Sequence, residues 1–346
     1  MTIKKRLLLF LLLFFLPVFT LWIFQDKYLE FSGETMGTTY KIKVYVDSWR
    51  SKTAIDKQIN KKLLNITSTF STWTPNSELS RFNSTKSTDF IVISDSLMHV
   101  LRNSKQLFEI SKGKYDPSLK PLLDLWGFSK NTVYFDIPSN DEINSISNYI
   151  GFDKLHFKEN QIQKTHPDFT LDLSSIVKGY AVDEVVEILN SFGIDRFMVE
   201  IGGEVRVGEN KGNDQWMIGV LEPNYLKSEN GLLLRLNVEN VSIATSGDYK
   251  NYFEKDSVVY SHIIDPQSKF PIKNNIASVT VIAPDCMFAD GLATTLAVVG
   301  LNRGLSIVES YRNVECLFVI REKNNEFKFY KSSGFSKFIN SSNFNI

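Results

Sequence analysis

Residues 290–295, DGLATT, present a carboxylate and a hydroxyl four positions apart. Helical spacing puts Asp290 and Thr294 on one face, a hard-oxygen pair suited to Mg²⁺, which takes few protein ligands. A helix cap plus a threonine bonded back to its own helix would give the same spacing, so the pair alone decides nothing. A second candidate is His262 in VYSHIID. On a strand over residues 258–265 it shares a face with Tyr260 and Ile264, and an imidazole near phosphate can accept a hydroxyl proton. A half-buried structural histidine is the plainer reading. Thr245 and its neighbours through Tyr249 end a strand in hydroxyls and a glycine, either a simple turn or a backbone N–H seat for phosphate. Trp73, with Met36 and Tyr115, can form an apolar slot for a flat heterocycle, and each can equally be core.

An element must bring backbone donors to these groups, and residues 171–208 read as one. A strand over 169–173 carries a single carboxylate, Asp172, and Ser174 or Ser175 caps a helix that starts near Ile176. Val177, Ala181, Val185 and Ile188 recur at helical spacing, and Gly193 supplies a left-handed stop. A strand over 196–201 then runs into Gly202-Gly203-Glu204, where backbone without side chains can approach a ligand. A helix N-terminus fed by a strand suits phosphate, although a well-capped βαβ-like unit would look the same. No helix follows Gly202-Gly203, so this is not a dinucleotide fingerprint.

Around this stretch the pattern predicts a first strand or linker over 28–34, a strand over 40–46 and an amphipathic helix over 55–66. Residues 68–83 are turn-rich, 91–93 form a short strand, and Ser94 or Asp95 caps a helix to about Ser111, closed by Gly113. Residues 114–128 read as a proline-broken loop, 131–140 as a turn-rich crossing, 141–150 as a capped helix and 156–164 as a hairpin. Strands follow over 216–221, 232–236, 241–245 and 277–283. A helix over 285–299, another over 303–311 and strands over 315–321 and 326–331 complete the chain. Adjacent strands with irregularly interleaved helices favour an α+β fold with largely antiparallel sheets over a doubly wound one.

With 346 residues the chain can bury a large core, as one domain or two intimately packed subdomains over 28–346. Lys plus Arg equals Asp plus Glu at 39 each, leaving no basic excess for a nucleic-acid partner. Two cysteines, Cys286 and Cys316, exclude a cysteine metal site and read as core thiols. Residues 1–27 form a distinct segment: Lys4, Lys5 and Arg6 precede an almost uninterrupted apolar run over 7–24. That run is near the lower limit for spanning a bilayer, and no small-x-small cleavage site follows, which favours an uncleaved anchor over a cleaved signal. The basic flank stays inside, so the remainder faces outward.

Taken in order, ETMGTTY, STWTPNSELSRFN, YDPSLKPLLDLWGF, LDLSSIVKGYAVD, VEIGGEVRVG, ATSGDYKNY, SHIIDPQ and SVTVIAPDCMFADGLATT resemble the ApbE family of FAD:protein FMN transferases, from Glu34 to about Lys337. The resemblance implies an ApbE-like (T-fold-like) architecture and a Mg²⁺-dependent enzyme. Such an enzyme splits FAD and attaches FMN through a phosphoester to a Thr or Ser of a partner protein, releasing AMP. It implies metal positions at Ser175, Asp290 and Thr294, and flavin-nucleotide contacts at Met36, Trp73, Lys114, Tyr115, Asp116, Asp172, Lys178 and Ile264. It also implies proton transfer by His262, an acceptor among subunits of membrane redox complexes, and a catalytic domain on the periplasmic face of a bacterial inner membrane. An FAD pyrophosphatase or a non-catalytic FAD-binding protein would use the same residues. Two positions depart from some relatives: Ala293 stands where they have aspartate, and Lys178 where they have glutamate.

Overall fold

The computed structural model describes residues 26–47, 51–129, 137–210, 214–223, 231–247, 252–255, 258–322 and 326–339. Strands β1 (Asp26–Thr35) and β2 (Thr38–Asp47) lead, followed by helices α1 (Lys52–Phe70) and α2 (Glu78–Ser84), strand β3 (Ile91–Val92) and helix α3 (Asp95–Ser111). Helices α4 (Lys120–Leu125) and α5 (Asn140–Ile146) precede the hairpin β4 (Leu155–Lys158) and β5 (Gln161–Lys164). Next come α6 (Val177–Ser191), β6 (Phe197–Ile201), β7 (Glu204–Val207), β8 (Trp216–Leu221), β9 (Leu232–Val238), β10 (Val241–Gly247), β11 (Tyr252–Lys255) and β12 (Val258–Ser261). The chain continues through β13 (Ile276–Ala283), α7 (Cys286–Val299), α8 (Leu301–Glu309), β14 (Glu315–Arg321) and β15 (Phe327–Lys331).

Eight strands form one sheet in the order β1-β2-β6-β7-β10-β13-β14-β15, with every neighbouring pair antiparallel. The expected α+β class is therefore the observed one. Period-2 alternation decides which side chains meet which layer. Val199, Ala244, Val281 and Phe318 join the main core with residues of α1, α3, α6 and α7. Val205, Val207, Ile243 and Leu317 point the other way, into a second cluster with the β8–β9 hairpin and Phe335. Strand β13 is buried at every position because both faces are covered, which explains its unbroken apolar character. A third cluster gathers Leu119, Leu122, Trp126, Ile143, Ile150 and Ile264.

Several local expectations change. Residues 169–173 are not a strand, although Phe169, Leu171 and Leu173 are buried in alternation. Their backbone is held by other partners: the Asn83 side chain both accepts from Leu171 N (2.8 Å) and donates to its carbonyl (2.9 Å), and Asp172 N donates to Pro117 O at 2.8 Å. Neither Ser174 nor Ser175 caps α6, whose N-cap position is Ile176 with no side-chain cap bond. The strand expected over 258–265 stops at Ser261, and His262 lies on the bend beyond it. Ser246 and Gly247 belong to β10 rather than to a turn, while Asp248 and Tyr249 lie outside the described residues. Residues 78–84 and 120–125 are short helices inside stretches read as turn and loop. Most of the 131–140 crossing and the apolar run at 7–24 also lie outside the described residues. Among the described residues, no helix is long and apolar enough to cross a membrane.

Candidate active site

The site begins where α6 and α7 come into contact. A Cβ at Gly179 would lie 2.2 Å from the Cys286 carbonyl oxygen and 2.8 Å from Asp290 Cβ, so only glycine permits this approach. With the Cβ absent, Gly179 N–H donates to Asp290 Oδ2 at 2.9 Å. One turn further along α6, Asp183 accepts from Cys286 N and Met287 N and pairs with Arg206 Nη1 at 2.6 Å. Asp183 thus binds the free N–H groups of α7 from across the interface, and Asp285 adds a cap bond to Phe288 N at 2.8 Å. These contacts set the depth and rotation of the helix carrying Asp290 and Thr294.

Above this junction lies a cavity of about 280 Å³. One wall is the turn before α6, with Asp172, Ser174 and Ser175. Here Asp172 Oδ1 accepts from Ser174 N at 2.8 Å, and Ser175 Oγ bonds the Tyr115 hydroxyl at 3.1 Å. Because neither serine caps the helix, both remain along the cavity. A second wall is the end of β10, with Thr245, Ser246 and Gly247. The third combines the 114–119 segment with His262, Ile263 and Ile264. Lys114 Nζ makes two 2.8 Å contacts with the Asp265 carboxylate, which ties these two segments together. Trp126, fully buried, stacks on Tyr260, meets Phe270 edge-on, and donates from Nε1 to Lys269 O at 3.2 Å. The aromatic end of the 114–128 stretch therefore anchors the loop that carries His262.

The floor is charged. Lys178 Nζ lies 3.3 and 3.4 Å from the Asp290 oxygens and 3.2 Å from Glu204 Oε1. Loss of water pulls this ammonium down, yet Asp290 and Glu204 outweigh it and hold it above the ordinary lysine value. Burial pushes the Asp290 carboxyl up against the pull of Lys178, and the negative Glu204 adds to the rise. Glu204 Oε2 is buried and has no hydrogen-bond partner. Burial also pushes Asp116 up to about 6; its oxygens accept from Ser118 N, Ser118 Oγ and Phe152 N, so this carboxylate shapes the loop.

The cavity brings together Lys114, Tyr115, Asp116, Asp172, Ser175, Lys178, His262, Ile264, Asp290 and Thr294. Met36 and Trp73 are not among its lining residues, so of the proposed apolar slot only Tyr115 lies there. Trp73 is 68% exposed in the turn after α1, where Ser71 Oγ accepts from the N–H groups of Trp73 and Thr74. Met36 sits at the β1–β2 turn with φ of 48° and packs against the main core. Ala293 is buried in that core and does not line the cavity. Glu204 was missed as a site residue. Its signal was a lone carboxylate opening the alternating EVRV strand: Glu204 and Arg206 face the helices, while Val205 and Val207 face the opposite core. Gly202 and Gly203, with φ of 61° and 98°, make the two-residue turn between β6 and β7 that starts this register.

Fold and site define an α+β protein whose pocket combines hydroxyls, carboxylates, an ammonium and an imidazole, a donor set suited to phosphate-group chemistry. The ApbE family model matches residues 36–318, and the chain belongs to this family. It is 37% identical over 310 residues to an FAD:protein FMN transferase of Vibrio cholerae, covering 89% of this chain and 92% of the relative. It is 31% identical over 313 residues to one of Escherichia coli, covering 89% and 88%. In structure it is similar to the flavin transferase ApbE from Vibrio cholerae, with TM-score 0.83 and 35% identity over 91% of this chain and 100% of that one. It is also similar to apo Pseudomonas stutzeri flavinyl transferase ApbE, with TM-score 0.82 and 32% identity over 92% and 98%.

Proposed function

We propose that this protein transfers FMN from FAD to a Thr or Ser hydroxyl of a partner protein. The acceptor oxygen bonds to the FMN phosphorus, the pyrophosphate P–O bond breaks, and AMP leaves with that electron pair. The observation that carries this reading is the convergence, in one cavity, of His262, the 114–116 segment, Asp172, Ser175, Lys178, Asp290 and Thr294. Phosphoryl transfer needs placement and charge neutralisation more than a protein nucleophile, and this cavity offers both. His262 takes the acceptor proton, Lys178 lies beside the nucleotide, and Tyr115 orients Ser175 through the hydroxyl bond described above.

The donor chemistry fits Mg²⁺. A zinc-type site would draw on thiolate and imidazole ligands. Asp290, Thr294 and Ser175 are instead one carboxylate and two hydroxyls, and Mg²⁺ accepts few protein oxygens while keeping water and phosphate. Bound there, the ion would neutralise charge on the pyrophosphate oxygens. The apolar run at 7–24 behind a basic flank supports anchoring in the inner membrane with this domain on the periplasmic face. That placement suits an acceptor subunit of a membrane redox complex.

The test is incubation with FAD, Mg²⁺ and a candidate acceptor, followed by a denaturing gel and mass spectrometry. A fluorescent acceptor band carrying an FMN adduct is expected; free FMN and AMP without that band would make the protein a pyrophosphatase. His262→Ala should slow transfer by roughly a hundredfold or more while FAD affinity stays near wild type. A matching loss of FAD affinity would assign His262 to binding.

A further inference from the structure

The three groups on the cavity floor do not form a settled ion pair. Charge-assisted N–H···O contacts normally close to about 2.7–2.9 Å. Lys178 instead makes three longer ones, at 3.2 Å to Glu204 and at 3.3 and 3.4 Å to Asp290. The ammonium stands between two carboxylates and is drawn fully onto neither. Glu204 is 2% exposed, and its second oxygen has no partner although the residue lines the cavity. A buried carboxylate oxygen without a partner is costly, so this arrangement holds a seat open. The stem of Lys178 runs close over Gly202, where a Cβ would stand 3.1 Å from Lys178 Cδ, so glycine at this turn leaves the stem its path beside Glu204.

We propose that Glu204 is the second seat of the Lys178 ammonium, which leaves Asp290 for Glu204 when a divalent cation binds Asp290. This rests on the reading of Asp290 as a metal position. Two cations cannot share the Asp290 oxygens at contact distance without strong repulsion. The displaced ammonium needs a buried anion, and Glu204 already holds one of its protons and has the free oxygen. Lys178 and Glu204 are therefore positioning residues: Lys178 keeps Asp290 satisfied when the ion is absent, and Glu204 receives the lysine when the ion arrives.

The experiment is Mn²⁺ binding, followed by electron paramagnetic resonance of the free ion, on the full chain and its variants. Asp290→Asn should abolish binding. Glu204→Gln should weaken it by about tenfold, because Lys178 then has no anionic seat to move to. Lys178→Met should restore or exceed wild-type affinity, and the double variant Lys178→Met/Glu204→Gln should match Lys178→Met. If Lys178→Met fails to fold by thermal unfolding, Lys178→Gln, which keeps a donor for Glu204, takes its place. A double variant as weak as Glu204→Gln would make Glu204 a direct ligand and overturn the proposal. Unchanged affinity in Glu204→Gln would also overturn it, while the loss in Asp290→Asn leaves the metal position standing. Wild-type protein that binds no Mn²⁺ would overturn both.

Discussion

Two lysines are drawn away from water in this protein, Lys164 fully buried and Lys178 half-buried, and their surroundings are opposite. Lys164, fully buried at the end of β5, donates to three backbone carbonyls: Pro167 at 3.0 Å, Phe169 at 3.2 Å and Phe82 at 3.4 Å. Burial pushes its ammonium down to about 8, with Lys86 adding to the fall and Asp168 opposing it. Lys178 meets two carboxylates, and their charge holds its ammonium above the ordinary lysine value despite the loss of water. Neutral carbonyl dipoles make Lys164 a pin for the chain leading to Asp172. Ionic partners make Lys178 part of an electrostatic centre in the cavity. The difference teaches that burial alone does not give a lysine its role; the formal charge of its partners does.

The variant that should separate the two regions most is Asp290→Ala. It removes the helix carboxylate from the electrostatic centre and should slow flavin transfer by roughly a thousandfold or more, read from the rate of appearance of the fluorescent acceptor band. Activity within about tenfold of wild type would break the division between a chemical and a structural lysine.

Next in size is Lys164→Met, which leaves three buried carbonyls without their donor. It should destabilise the fold by about 3 kcal/mol, measured as a lowered urea midpoint at unchanged slope, while activity per folded molecule stays near wild type. A kinetic defect without a stability defect would move Lys164 into the chemistry.

A smaller effect concerns pH. The folded-state value of Lys164 lies below its unfolded value, so between about 8 and 10.5 the unfolded chain binds more protons at this site. Its contribution to stability therefore rises with pH across that window. Lys178 has the opposite sign: its contribution is present below the ordinary lysine value and is lost as pH rises through its higher folded-state value. Wild-type stability relative to Lys164→Met should increase by on the order of 2 kcal/mol across the Lys164 window. A flat difference would mean that the three carbonyls fully compensate burial of the charge.

The smallest stability effect is expected at Trp73, which is 68% exposed. Trp73→Ala should shift unfolding by no more than about 0.5 kcal/mol. FAD affinity measured on the same variant sharpens the comparison, because a loss there would assign this exposed ring to the ligand and not to the fold.

Regular elements and their order were legible wherever one periodicity ran uninterrupted, as in residues 95–111, 276–283 and 286–299. Residue type and spacing left Asp290, Thr294 and His262 with plainer structural readings, and it was the order of the family motifs that singled them out together with Lys114; the structure brings all four to one cavity. The site was misread where the alternation of 169–173 suggested a strand, because a single amide, Asn83, and the Pro117 carbonyl supply the partners that a neighbouring strand would supply. It was incomplete at Glu204, since a carboxylate at the head of a short strand is ordinarily solvated. Its pairing opposite Ile201 of β6 and its ion pair with Lys178 of α6 turn that carboxylate inward.

What the chain alone determined is therefore most of its elements, its antiparallel α+β class, its family and many residues of the cavity, because propensity, period and motif order are local or additive properties. Tertiary structure decided which lysine is a pin and which is a charged centre, and which glutamate belongs to the site. It also left Ser174 and Ser175 to the cavity rather than to a helix cap. The physical reason is that burial, partner charge and free hydrogen-bond capacity arise between segments far apart in sequence: Lys178 meets Asp290 across 112 positions, and no local pattern records that contact.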